Sequence, residues 1–182
     1  TENPGLSDFG VLQIQQVRKQ TPKIRKFLRA QDVICCSNLL RTMETASFLY
    51  PKRKKIYVLP FLEEIPPWGY VAQYMGLDTE NRVQDRATTM KRLKKLGHDT
   101  SKFDWSIHDT ITGGRFKIPD VGVFRRVVEP KLLEIFGRKK IVCVSHSHWM
   151  QEYLKQLNQY DRVLSSRPIY QPRSCQRPDV IK

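Results

Sequence analysis

The chain has 182 residues, 40% of them hydrophobic and 27% charged, which suffices for one sizeable domain with its own core. No stretch is long and apolar enough to cross a bilayer, and the first residues read as mid-sequence material. With 32 Lys and Arg against 18 Asp and Glu, the net charge of +14 draws polyanions or phosphorylated substrates.

In chain order, Pro4, Gly5 and Leu6 form a turn, and Ser7 or Asp8 caps a helix whose buried stripe is Val11, Ile14 and Val17. Thr21-Pro22 restarts a short helix through Ile24, Phe27 and Leu28. Asp32-Val33-Ile34-Cys35-Cys36 reads as a buried strand ended by Ser37 and Asn38. A helix with Leu40, Met43, Ala46 and Leu49 inward follows, stopped by Pro51, and Ile56–Leu59 is again strand-like. From Pro60 to Glu80 the periodicity dissolves into a long loop, of the kind that often carries function.

Val83, Ala87, Met90 and Leu93 describe an amphipathic helix with a basic outer face, and His98–Pro119 reads as irregular. Pro119-Asp120 opens a helix through Val121, Phe124, Val128 and Leu132, bent or broken near Pro130 and terminated by Gly137. Ile141–Val144 is the clearest strand. Trp149, Met150, Tyr153, Leu154 and Leu157 follow it at helical spacing. Strands alternating with helices predict an α/β domain with a mostly parallel sheet flanked by helices. Its limits are residues 1–160, with an insertion near 91–119, and residues 161–182 form a basic, Pro-rich tail.

Four cysteines, Cys35, Cys36, Cys143 and Cys175, show neither zinc-ligand spacing nor a disulfide framework. Cys35, Cys36 and Cys143 lie in predicted strands and read as reduced core residues of an intracellular, cytoplasmic protein. No His, Cys and carboxylate cluster has metal-ligand spacing, so no metal and no cofactor are expected. The basic runs Lys52–Lys55, Lys91–Lys95 and Arg138–Lys140 lack the aromatic patterning of nucleic-acid modules. They permit nucleic-acid binding without arguing for it.

Three places carry candidate chemistry. His146 falls at the carboxyl end of a central strand, just ahead of a helix start, where ligands bind in open α/β sheets. Arg41 opens the helix after Cys36-Ser37, a second such junction. Its planar fork of donors suits a phosphate, and the plainer reading is a solvent-facing pair with Glu44. Glu63 and Glu64 lie beyond the third apolar run, where a carboxyl in a partly apolar cleft can act as a proton donor, and the plainer reading is a pair of exposed loop acids. His148 can lie near the same turn but reads first as a surface residue, and His98 and His108 receive no role.

Together these stretches resemble the phosphoglycerate mutase-like branch of the histidine phosphatase superfamily. Asn3-Pro4-Gly5-Leu6-Ser7-Asp8-Phe9-Gly10 is similar to the family's Pro-Gly-Leu-Thr helix start. Cys36-Ser37-Asn38-Leu39-Leu40-Arg41 with Glu44-Thr45-Ala46 resembles its Ser-Ser-Pro-Leu-x-Arg segment. Leu62-Glu63-Glu64 followed by Gly69 resembles its Leu-x-Glu stretch, and Val144-Ser145-His146 its Val-Ser-His strand end.

The resemblance implies a three-layer α/β sandwich and a phosphomonoester substrate, handled through a phosphohistidine without a metal. It makes Arg41, His146 and Ser147 phosphate-binding, His146 also catalytic, and Glu64 the acid, with Glu63 as fallback. Two departures accompany it. Ser147 stands where the family has glycine, and the Arg-His-Gly motif that supplies the nucleophile is expected upstream of Thr1, on a first strand. Residues 1–182 alone are therefore expected to be inactive. A catalytically inactive binding or assembly module, for a polyanion, is the rival expectation.

Overall fold

Short apolar runs become the strands of one parallel sheet: β1 (Val33–Ser37), β2 (Ile56–Leu59), β3 (Phe103–Asp104) and β4 (Ile141–Val144). A computed structural model describes residues 3–20, 22–65, 85–115, 117 and 119–157. The strand order is β3-β2-β1-β4. Cys35 stands level with Tyr57 on one side and Cys143 on the other, and Ile56 is level with Phe103. All of β1 is buried, whereas β4, at the edge of the described sheet, is half-buried.

The helices are α1 (Asp8–Gln20), α2 (Pro22–Arg29), α3 (Leu40–Leu49), α4 (Arg86–Lys95), α5 (Ser106–Thr112), α6 (Val121–Val123), α7 (Glu129–Phe136) and α8 (Ser147–Gln156). They cover both faces of the sheet because successive residues of a strand point opposite ways. Val33 and Cys35 enter a core with Leu59, Ile107, Phe124, Val128, Leu132 and Trp149, from α5 to α8. Ile34 and Cys36 enter the other, with Leu40, Met43, Ala46, Val58, Leu93 and Phe103, from α3 and α4. The result is an α/β arrangement of helices, sheet and helices. Among the described residues no helix is long and apolar enough to cross a membrane.

The helix starts follow local chemistry. The Ser7 hydroxyl accepts the Gly10 N–H at 3.2 Å, capping α1. Leu39 offers α3 no side-chain cap, and the cap comes from far along the chain: Asn3 Oδ1 accepts the Leu40 N–H at 2.9 Å. The N-terminal segment is also held by Glu44, whose Oε2 accepts the Leu6 N–H at 2.7 Å. A Cβ on Gly5 would stand 2.6 Å from that oxygen, so the close approach requires glycine there.

Pro130 bends its helix in a specific way. It lacks an N–H, and its ring crowds the carbonyl four residues earlier. The chain answers with a π-helical stretch, Phe124–Val128, between α6 and α7, in which the Glu129 N–H reaches the Phe124 carbonyl. Asp120 starts this helix, its Oδ1 accepting the Val123 N–H at 2.8 Å. Asp120→Ala is therefore expected to cost about 1 kcal/mol, read as a lower urea midpoint with an unchanged slope. An unchanged midpoint would show that the cap carries no stability.

The structure corrects the reading of residues 98–119. Between Thr100 and Thr112 it is ordered rather than irregular, supplying a 3₁₀ turn (Thr100–Lys102), the edge strand β3 and α5. β3 is two residues long, too short for a periodic signal, and Asp104 breaks its apolar character. It forms because Phe103 docks beside Ile56, and Lys55 Nζ meets Asp104 Oδ2 at 2.7 Å. Thr21, Val83, most of the Pro60–Glu80 loop with Gly69, Cys175 and the tail lie outside the described residues. Cys35, Cys36 and Cys143 are free thiols.

Candidate functional site

Three turns meet at the carboxyl ends of β1, β2 and β4. The first is Ser37-Asn38-Leu39, shaped by its own side chains. Ser37 Oγ accepts the Leu39 N–H at 3.2 Å, and Thr42 Oγ1 donates to the Leu39 carbonyl at 2.7 Å. This starts α3 at Leu40 and places Arg41 on its first turn. The second follows β2, where Phe61 takes a left-handed φ of 64° and turns the chain. The third is Ser145-His146, between β4 and α8.

The second and third turns are tied together. Ser145 Oγ donates to the Leu62 carbonyl at 2.8 Å, and Trp149 Nε1 donates to the Phe61 carbonyl at 2.5 Å. Residues on either side of His146 thus hold the backbone that carries Glu64. Trp149 is itself packed edge-on against Phe124 and stacked on Tyr153.

Glu64 is where the site residues converge. Its Oε2 lies 3.5 Å from Arg41 Nη2 and 3.4 Å from His146 Nδ1. Its Oε1 lies 3.3 Å from both the backbone nitrogen and the ring Nδ1 of His148. His146 is only 3% exposed at its side chain, while Arg41 and Glu64, at 29% and 28%, line the opening to solvent. Arg41 pairs with Glu64 and not with Glu44, which faces His98 at 3.6 Å instead.

The hydrogen-bond network assigns the His146 tautomer. The Glu64 carboxylate can only accept, so the ring proton of a neutral His146 sits on Nδ1, and the Ser37 hydroxyl, which accepts from Leu39, turns its hydrogen to Nε2 at 3.3 Å. Burial lowers the His146 pKa, the Glu64 carboxyl pulls it back up and the Arg41 charge lowers it further, leaving it below its ordinary value. The ring is therefore neutral near pH 7. For Glu64, burial acts upward, but the His146 hydrogen bond and charge, the His148 N–H and Arg41 outweigh it and lower the pKa. Glu64 rests as a carboxylate.

The chain matches no family model and no curated protein.

Glu63 has a different environment from its neighbour. Its side chain is buried, and neither carboxyl oxygen finds a hydrogen-bond partner among the described residues. The Asn38 amide and the backbone of Phe61 and Glu63 face it and pull its pKa down, but burial dominates and pushes it up to about 7. It sits beneath the site with Asn38, whose own amide atoms are also buried without partners among the described residues.

Ser147 is exposed at the first position of α8. His98 is buried against Ser47 and Glu44, and His108 packs on Trp105 beside Asp109. His148 is exposed, at 46% of its side chain, and also lies against the candidate acid, its ring Nδ1 3.3 Å from Glu64 Oε1. Among the described residues no group of three or more His, Cys, Asp or Glu could hold a metal ion.

Proposed function

We propose that this chain carries the phosphate-binding and proton-donating part of a phosphoglycerate mutase-like histidine phosphatase domain, acting on a phosphomonoester. One observation supports this reading above the others. A guanidinium and a buried imidazole from segments over a hundred residues apart point at the same carboxylate oxygen, at the carboxyl edge of a parallel sheet. A phosphoryl oxygen entering between them would meet the donors that Glu64 now occupies.

In the proposed reaction, a histidine from an Arg-His-Gly segment upstream of Thr1 attacks phosphorus and the P–O bond to the leaving group breaks. Arg41 and His146 meet the charge on the non-bridging oxygens. Glu64 gives its proton to the leaving oxygen, and its carboxylate then takes the proton of a water or acceptor hydroxyl as that oxygen bonds phosphorus and the P–N bond to the histidine breaks. Glu64 gains the required proton because the arriving anion takes Arg41 and His146 from it and sets negative charge beside it, both of which raise its pKa. Ser147, at the rim, offers the phosphate a hydroxyl and a free N–H of the first turn.

The test is a titration of residues 1–182 with inorganic phosphate. Saturable binding that shifts the His146 ring resonances, without turnover of p-nitrophenyl phosphate, is the expected result. Silent His146 resonances at saturating phosphate, or turnover by this chain alone, would overturn it.

A further inference from the structure

Glu64 is held asymmetrically. Oε2 faces Arg41 and His146, while Oε1, among the described residues, faces His148 alone, through two separate groups at 3.3 Å. A carboxylate whose one oxygen is fixed by two donors from a single residue cannot swing freely about its last bond. The oxygen that meets the anion pocket is thereby chosen. The His148 side chain is 46% exposed, against 3% for His146, so it stands on the solvent side of the carboxyl and His146 on the buried side. Its backbone N–H belongs to the first turn of α8, where N–H groups have no partner within the helix and favour a negative charge.

We propose that His148 is a positioning residue for Glu64, anchoring Oε1 so that Oε2 is presented to the leaving oxygen of a phosphomonoester. This rests on the function proposed above. In the transfer, the carboxyl O–H bond at Oε2 breaks as its proton passes to the leaving oxygen, which keeps the electron pair of the broken P–O bond. The negative charge returned to the carboxyl spreads onto Oε1, where the His148 N–H and ring meet it. Among the described residues, the charged or titratable groups facing Glu64 are Arg41 from α3, His146 ahead of α8 and His148 on α8.

The test follows the Glu64 carboxyl carbon by NMR as pH is varied, in residues 1–182 and in His148→Ala and His148→Asn, each with and without inorganic phosphate. His148→Ala loses the ring contact and keeps the N–H, so the Glu64 titration should move up by about half a unit or more. His148→Asn, with a shorter donor, should recover part of that shift. Phosphate should still perturb His146 in both variants, with affinity within about threefold of the parent.

A Glu64 titration unchanged by His148→Ala, while phosphate still binds at His146, would overturn the role of His148 and leave the phosphate site standing. Absence of phosphate binding in the parent chain would overturn the phosphate site itself. In that case the His148→Ala shift would still report whether the residue anchors the carboxyl.

Discussion

Glu63→Gln is expected to stabilise the protein at pH 8 by about 3 kcal/mol and to change it by less than about 1 kcal/mol at pH 4.5. The sign follows from where the proton is bound. In the unfolded chain Glu63 titrates near the ordinary 4.5, and in the folded protein burial pushes it up to about 7. Below 4.5 both states hold the proton and the group costs nothing extra. Between 4.5 and 7 only the folded state holds it, so each unit of pH removes about 1.4 kcal/mol of stability, and above 7 the loss is complete. Glutamine keeps the shape and lacks the ionisation. Urea midpoints of parent and variant at the two pH values check this, and an equal difference at both would show that Glu63 does not titrate in the window. Glu64, one residue on, has the opposite sign. Its lowered pKa adds stability above the ordinary carboxylate range, lost as pH falls through the folded value.

These two neighbours also mark where the sequence stops being readable. The alternation that assigns faces within β2 ends at Leu59, and the left-handed Phe61 turns the chain before Glu63 and Glu64. No period carries across that turn, so nothing local tells which carboxyl is buried beneath the site and which is held at its mouth. That choice is made at long range, by Ser145 and Trp149 gripping the carbonyls of Leu62 and Phe61. The strands β1, β2 and β4 were legible because their apolar runs are continuous, as buried parallel strands require. Arg41 and His146 were legible as junction residues for the same reason. β3 was not, being two residues held by a neighbour and an ion pair. The cap on α3 was hidden likewise, since it arrives from Asn3, and so was the His148 contact, which depends on where the Glu64 backbone runs.

The site contains a competition that two substitutions should pull in opposite directions. Glu64 occupies the donors that the proposed phosphate would use, so an anion can bind only by displacing or neutralising it. Arg41→Ala removes a charge-assisted donor and should weaken inorganic phosphate by about ten- to a hundredfold. Glu64→Gln removes the competing charge and should tighten it by about tenfold, because a like charge about 5 Å away in a half-buried site repels by a few kcal/mol before screening. A positively charged surface that merely condenses phosphate would respond to Arg41→Ala far less, one charge among a net +14.

The competition also fixes a proton balance. Parent protein should take up more protons on binding phosphate than Glu64→Gln does at the same pH, because the anion raises the pKa of both Glu64 and the neutral His146 while the ionisation of phosphate itself is common to both. Calorimetry in two buffers of different ionisation enthalpy reads that uptake, and Glu64→Gln should retain only the His146 share. If Glu64→Gln weakened phosphate, or left the uptake whole, the carboxylate would be a partner of the anion or a bystander. Glu64 would then not be the group that trades its Arg41 and His146 donors for a proton.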